Sequence, residues 1–236
     1  HAGLQFHASS RGHEAVYKRQ LMPSTPHDPN STHALLTIVR HGQTSANVDG
    51  VWHGSTNTAL TDHGRRQAAA VGAHIEANYQ PIAHVYASPL DRAHQTAQAI
   101  ATPLGLTPIL DDELVEFDLG DWEGMAFKEL TEEKKIFQNM SADPHFAPHG
   151  GESPKQVGDR LAGALTRLAA AHPGERIVVV SHGAALTIAL GLLLDDHYAE
   201  WNRMMKNCAI SELAFPPKAE LLSFNQREHL PSENTA

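Results

Sequence analysis

The sequence predicts an α/β protein, a three-layer sandwich with a mostly parallel central sheet and helices on both faces. Strand-like and helix-like segments alternate along the chain, as expected for parallel strands joined by crossover helices. The clearest strand is 177–181, a β-branched apolar run of the kind found in central parallel strands. Two further apolar runs, 34–39 and 84–87, each end in polar residues that lead toward a helix-like segment.

Capping and turn residues set the bounds of the other elements. Helices are expected over 61–79, 88–104, 126–140, 153–172 and 184–194, with N-caps at Thr61 or Asp62, at Ser88 and at Ser153. Short strands are expected over 108–110, 208–215 and 220–224, and the segments 42–60 and 141–152 are expected to be loops.

Length and composition predict one domain over 34–225 of the 236 residues. Residues 1–33 are expected to be a disordered tail or an upstream extension, and 226–236 a C-terminal tail. The net charge of −9 argues against nucleic acids and anionic membranes as partners. The single cysteine, Cys208, excludes an intrachain disulfide and favours a reducing compartment, so we expect a cytoplasmic protein. The edge strand 220–224 suggests a homodimer.

Three of the predicted strands deliver a cationic or imidazole side chain just past their carboxyl ends. Arg40 and His41 follow the first strand, Arg92 follows the second, and His182 follows 177–181. Ligands of open α/β sheets bind at this edge. A nucleophilic ring nitrogen beside guanidinium groups is what phosphoryl transfer to a histidine needs.

With these pieces, the chain resembles the histidine phosphatase superfamily, in its phosphoglycerate-mutase-like branch. The matching strings run in the family's order over about 34–224. They are Arg40-His41-Gly42-Gln43-Thr44 with Asn47, Ser88-Pro89-Leu90 with Arg92, Glu116 within 114–124, Gly151-Glu152-Ser153, and Val180-Ser181-His182-Gly183. The resemblance implies a histidine acid phosphatase-type phosphoric monoester hydrolase that acts on a small phosphorylated substrate.

The resemblance also implies roles for five catalytic residues. His41 is the expected nucleophile, whose second ring nitrogen should donate to a backbone carbonyl. Arg40 and Arg92 are expected to hold the phosphoryl oxygens. His182 is expected in the phosphate pocket, cationic when phosphate is bound, and Glu116 is expected to act as general acid and then general base.

Further substrate-binding residues are expected around this core. Asn47 matches a phosphate-contacting asparagine of the family, and Gln43 and Thr44 are expected to shape the pocket. The backbone N–H groups of Gly183 and Ala184 are expected to point at an anion. No metal site and no cofactor are expected, since the chain has neither paired cysteines nor a His-Glu-x-x-His motif.

The family includes both phosphatases and mutases. Cofactor-dependent phosphoglycerate mutases carry Glu-Arg-His-Tyr-Gly around the acid, whereas this chain has Glu116-Phe117-Asp118-Leu119-Gly120, so we favour a phosphomonoesterase. A mutase and a noncatalytic phospholigand-binding module are the alternatives. Four residues are expected either to make the pocket mouth apolar or to pack helices: Met125, Phe127, Met140 and Phe146.

Overall fold

The structure, a computed structural model, describes residues 32–147, 150–198, 201–215 and 217–230. Its six strands form one mixed sheet in the order β3-β2-β4-β1-β5-β6. They are β1 Ala34–Arg40, β2 His84–Ala87, β3 Ile109–Leu110, β4 Arg176–Ser181, β5 Ile210–Phe215 and β6 Glu220–Gln226. The first four are mutually parallel, and β5 and β6 add an antiparallel edge. This confirms the predicted fold class.

The helices cover both faces of the sheet. They are α1 Ser45–Asp49, α2 Asp62–Asn78, α3 Asp91–Ala101, α4 Phe127–Glu132, α5 Ile136–Ala142, α6 Pro154–Ala171 and α7 Gly183–Asp195, with short 3₁₀ helices at Asp112–Leu114, Gly120–Trp122 and Trp201–Arg203. The predicted N-caps Thr61 and Ser153 both accept a hydrogen bond from a first-turn backbone N–H. Each therefore satisfies a donor that the helix itself leaves unpaired.

The central strand β4 divides the core into two layers. Ile177 and Val179 pack against the helices α6 and α7, whereas Val178 and Val180 pack against α2 and α3. Successive side chains of a strand point to opposite faces, so a continuous apolar run is buried on both. The rigid sheet between these layers positions the loops at its carboxyl edge.

Three local predictions were wrong. Residues 42–60 contain the short helix α1, which Thr44 caps together with Asn47. The helix α3 begins at Asp91 with Leu90 as N-cap, and the Ser88 hydroxyl bonds both the ring of His182 and the Leu90 N–H. The expected helix 126–140 is two helices, α4 and α5.

The break between α4 and α5 has a packing cause. Leu130 and Ile136 are both fully buried, yet six residues apart they would point about 120° away from each other around a straight helix. Lys135 takes a left-handed backbone conformation between them and turns the chain so that both side chains reach the core.

The ends of the chain were predicted as tails. Residues 1–31 and 231–236 lie outside the described residues. The segment after β6 packs on the domain, since His229 bonds the Cys208 carbonyl and stacks on His74. Within the described part of the chain, no helix combines the length and the apolar character that a bilayer span requires.

Candidate active site

The cavity at the carboxyl ends of β1 and β4 brings together most of the predicted site residues. Its wall is made of Arg40, His41, Thr44, Ala46, Asn47, Val51, Trp52, His53, Thr58, Arg92, Glu116, Phe127, Gly183, Ala184 and Met204. Gln43 and His182 are not part of this wall.

His41 lies at the base of the cavity with only 3% of its surface exposed. Its Nδ1 donates to the Gly42 carbonyl at 2.7 Å, which is the predicted hydrogen bond. A carbonyl oxygen only accepts, so the ring proton is on Nδ1 and the Nε2 lone pair is free of a proton. Burial, together with the charges of Arg92 and Arg40, holds the pKa of His41 well below its usual value. The neutral, nucleophilic form is therefore favoured.

We expect His41 to stay neutral in mildly acidic solution. A histidine with the ordinary pKa of 6.5 would be about nine-tenths protonated at pH 5.5, whereas a lowered pKa keeps the neutral form at that pH. An NMR titration of the Cε1–H resonance, assigned by its loss in His41→Ala, checks this. A midpoint at or above 6.5 would contradict the electrostatic picture.

Arg40 is held at the cavity by backbone contacts. Its Nη1 donates to the Met205 carbonyl at 2.6 Å, and its buried Nε has no hydrogen-bond partner in the described protein. A buried guanidinium N–H without a partner costs free energy unless a ligand supplies an acceptor. The guanidinium lies flat on Gly183, where an added Cβ would sit 2.9 Å from the Arg40 Cζ.

Gly183→Ala should displace the Arg40 guanidinium and lower kcat/KM for p-nitrophenyl phosphate by about a hundredfold. The fold should persist, because alanine suits a helix better than glycine and the obstructing atoms belong to a movable side chain. Gly163→Ala on α6, where an added Cβ meets nothing, is the matched control. Full activity in the Gly183 variant would show that this contact does not position Arg40.

Arg92 and His182 form a buried pair. The Arg92 Nε donates to His182 Nδ1 at 3.2 Å, so this nitrogen carries no proton, and His182 Nε2 donates to the Ser88 hydroxyl at 2.8 Å. Burial and the positive charge of Arg92 hold the pKa of His182 well below its usual value. In this geometry the neutral form of His182 is favoured and orients Arg92, and the expected cationic state with phosphate bound stays a prediction.

Glu116 is held by the N-terminus of α7. Its carboxylate accepts from the backbone N–H groups of Ala185 at 2.7 Å and Ala184 at 3.2 Å, and from that of Phe117 at 2.9 Å. The Ala184 N–H was expected to point at an anion, and the anion at this helix end is the Glu116 carboxylate. These bonds fix the carboxyl group at the edge of the cavity, close to Arg40 and Arg92.

The segment that carries Glu116 is fixed by Arg160 on α6. Arg160 donates to the carbonyls of Val115 and Glu116 and makes a two-point ion pair with Glu152. The Glu152 carboxylate also accepts from the Asp118 N–H. Sequence reasoning missed this role. The available signal was a charged residue, Arg160, that interrupts the buried apolar stripe of Val157, Ala164 and Leu168 on the same helix.

Glu123 holds the loop above Arg92. Its carboxylate accepts from the N–H groups of Gly54, Ser55 and Thr56 and from the Thr56 hydroxyl. Burial alone would raise the pKa of Glu123, but the hydrogen bonds outweigh it and the net shift is downward. The carbonyls of Gly54 and Thr56 in turn accept from Arg92 at 2.7 and 2.9 Å. Glu123 therefore fixes Arg92 through the loop.

A model of the histidine phosphatase superfamily (branch 1) matches residues 36–226. The chain belongs to this superfamily. It is 40% identical over 159 residues to "Phosphoglycerate mutase-like protein 4" of Arabidopsis thaliana, covering 65% of this chain and 68% of the relative. It is 34% identical over 189 residues to "Probable phosphoglycerate mutase GpmB" of Cronobacter sakazakii, covering 79% of this chain and 87% of the relative.

A solved member of the superfamily shares the fold. The phosphoserine phosphatase of Entamoeba histolytica, solved with 3-phosphoglyceric acid, superimposes with a TM-score of 0.73 at 30% identity, over 84% of this chain and all of the other. For three mycobacterial relatives at 36% identity, the chain spans only 45% of their length.

The residues of the family's first motif divide between the cavity and its support. Thr44 and Asn47 line the cavity, but they also form the capping box of α1. Gln43 points elsewhere, since its side-chain oxygen accepts from the Thr61 hydroxyl. We therefore assign Gln43 a structural role. Asn207, which the sequence did not single out, donates to the His41 carbonyl and to the Asn47 side chain.

One group of described residues has the composition of a metal site. Ligand atoms of His84, His172 and Glu175 lie within 4.8 Å of one another at the end of the sheet opposite the cavity. Both ring nitrogens of His172 already bond protein groups, the Glu175 carboxylate and the Tyr86 hydroxyl. The group lies at the amino ends of the strands, whereas His41 follows the carboxyl end of β1.

Proposed function

We propose that this superfamily member is a metal-independent phosphomonoesterase that works through a phosphohistidine on His41. The observation that carries the proposal is the tautomer of His41, whose Nδ1–H is bound to the Gly42 carbonyl so that the unprotonated Nε2 is the nucleophile. Arg40 and Glu116 line the same cavity, and they supply the anion-binding group and the proton donor.

In the first step, the Nε2 lone pair attacks phosphorus and the bond from phosphorus to the ester oxygen breaks. Arg40, through its buried Nε, and Arg92 stabilise the charge on the equatorial oxygens. The Glu116 carboxyl gives its proton to the departing alkoxide, so that the product leaves as an alcohol.

In the second step, water attacks the phosphohistidine. The Glu116 carboxylate accepts a proton from this water, the bond from nitrogen to phosphorus breaks, and its electron pair returns to Nε2. Inorganic phosphate leaves, and both His41 and Glu116 regain their starting states. No step needs a metal ion or an external electron carrier.

Charge favours a phosphatase over a mutase. Among the described residues, the cavity wall has two cationic side chains, Arg40 and Arg92, and both belong to the phosphoryl end. Lys128 pairs with Glu132 on the surface and Lys134 lies over Trp122, so neither contributes to the wall. A mutase must hold a bisphosphate intermediate, which requires a second set of cationic contacts. The names of the relatives keep a phosphoglycerate mutase as the second candidate.

The proposed function is tested by turnover of p-nitrophenyl phosphate in EDTA and by acid-quenched trapping of the phosphoenzyme. We expect phosphate release without metal, and a phosphoryl group that mass spectrometry locates on His41. Conversion of 3-phosphoglycerate that needs 2,3-bisphosphoglycerate would instead show a mutase. Tight binding of phosphate esters with no turnover and no phosphohistidine would show a noncatalytic binding module. The cytoplasmic location and the homodimer stay predictions from the sequence.

A further inference from the structure

We infer that the alcohol part of the substrate is uncharged and carries an apolar or aromatic group. This inference rests on the proposed function, because it describes what occupies the outer half of the same cavity. We assign to that half the wall residues that are not part of the proposed phosphoryl site: Val51, Trp52, Phe127 and Met204, together with His53 and Thr58.

Among the described residues, the outer half of the cavity offers no cationic partner for a carboxylate or a second phosphate. Among the described wall residues, lysine is absent and the two arginines lie at the phosphoryl end. The His53 Nδ1 is bonded to the Thr58 hydroxyl at 2.7 Å. Moving a charged group from water to such a surface costs free energy that no ion pair would return. A substrate with a neutral alcohol avoids this cost.

The apolar wall is held in place by an aromatic cluster. The Trp52 ring lies 5.9 Å from that of Phe127, 6.0 Å from that of Phe137 and 6.3 Å from that of Phe117, measured between centroids. Phe137 in turn packs on Trp201. Rings held in this way lose little conformational entropy when a ligand binds, so the wall is preorganised for an apolar group.

Backbone hydrogen bonds join the segment that carries Trp52 to the segment that carries Phe127. The Phe127 N–H donates to the Gly50 carbonyl at 2.8 Å, and the Trp52 N–H donates to the Met125 carbonyl at 3.0 Å. Of the four residues expected either at the mouth or in helix packing, Phe127 lines the cavity, whereas Met125, Met140 and Phe146 pack against the core. Phe127 is 42% exposed and therefore available to a ligand.

The first test compares substrates that all release an alkoxide, so that leaving-group chemistry is similar. We expect kcat/KM for 2-phenylethyl phosphate to exceed that for phosphoserine and for 3-phosphoglycerate by at least about tenfold. Turnover that favours the carboxylated esters would overturn the inference and leave the proposed function intact. Absence of any turnover and of phosphohistidine would overturn both.

The second test changes the wall. Phe127→Ser should lower kcat/KM for 2-phenylethyl phosphate by about tenfold while the inhibition constant of inorganic phosphate stays the same. Phe127→Lys should shift the preference toward 3-phosphoglycerate. Val48→Ser is the control, since Val48 is 63% exposed on α1 and is not part of the wall. An unchanged preference in both Phe127 variants would contradict the inference.

Discussion

Replacing His41 by alanine should lower kcat/KM for p-nitrophenyl phosphate by at least about a thousandfold, because the covalent route then has no nucleophile. Water would then have to attack the bound phosphate ester directly, at a position set by Arg40 and Arg92. This single step has a higher barrier than either step of the route through a phosphohistidine. Initial rates of phosphate release in EDTA measure this loss.

The His41 variant should still bind inorganic phosphate, since both arginines remain. His94→Ala on α3 is the matched control: it removes a histidine close to Arg92 in the chain that is not part of the cavity wall. If the His41 variant kept a tenth or more of the wild-type rate, another residue would have to be the nucleophile.

Replacing Glu116 by glutamine should have an effect that depends on the leaving group. For 2-phenylethyl phosphate, whose alkoxide must be protonated, we expect kcat to fall by about 10²–10⁴-fold. For p-nitrophenyl phosphate the first step should survive, because nitrophenolate leaves without a proton. Hydrolysis of the phosphohistidine should still be slow, since the base for water is lost. Rapid-mixing kinetics should therefore show a burst of about one nitrophenolate per chain.

The shape of that burst distinguishes the two roles of Glu116. A slow first phase with p-nitrophenyl phosphate, without accumulation of phosphoenzyme, would mean that Glu116 positions α7 rather than transferring protons. The hydrogen bonds from Ala184 and Ala185 make this a real alternative. Glu152→Gln is a useful comparison, because it disturbs the support of the same segment while leaving the carboxyl in place.

The sequence was informative about side chains that follow strands and much less so about what holds them. Arg40, His41 and Arg92 could be grouped because parallel strands bring their carboxyl ends to one edge. The acceptors that position these side chains are mostly backbone carbonyls, such as those of Met205 and Gly54, and carbonyls carry no sequence signature. This is why neither the support of Arg40 nor that of Arg92 was predicted.

The protonation of His182 illustrates the same limit. A histidine in a phosphate pocket suggests a cation when only residue types are considered. For the protein by itself, complete burial and an arginine N–H on one ring nitrogen both favour the neutral form, while the cationic form with phosphate bound stays a prediction. Such a pairing depends on side-chain directions that only the folded chain defines. The role of Glu123 likewise depends on where the loop 54–56 lies.

The N-terminus of α7 contacts both the proposed anion-binding arginine and the proposed proton donor. Gly183 supports the Arg40 guanidinium, and the next two N–H groups hold the Glu116 carboxyl. The separation between anion-binding group and proton donor is therefore set by three consecutive residues of one helix. Small displacements of that helix move both groups together and preserve their spacing. Substitutions that tilt α7, even at its C-terminal end, should change substrate affinity and turnover in parallel. We therefore expect new specificity to evolve more readily through the 50–58 loop and α4 than through α7.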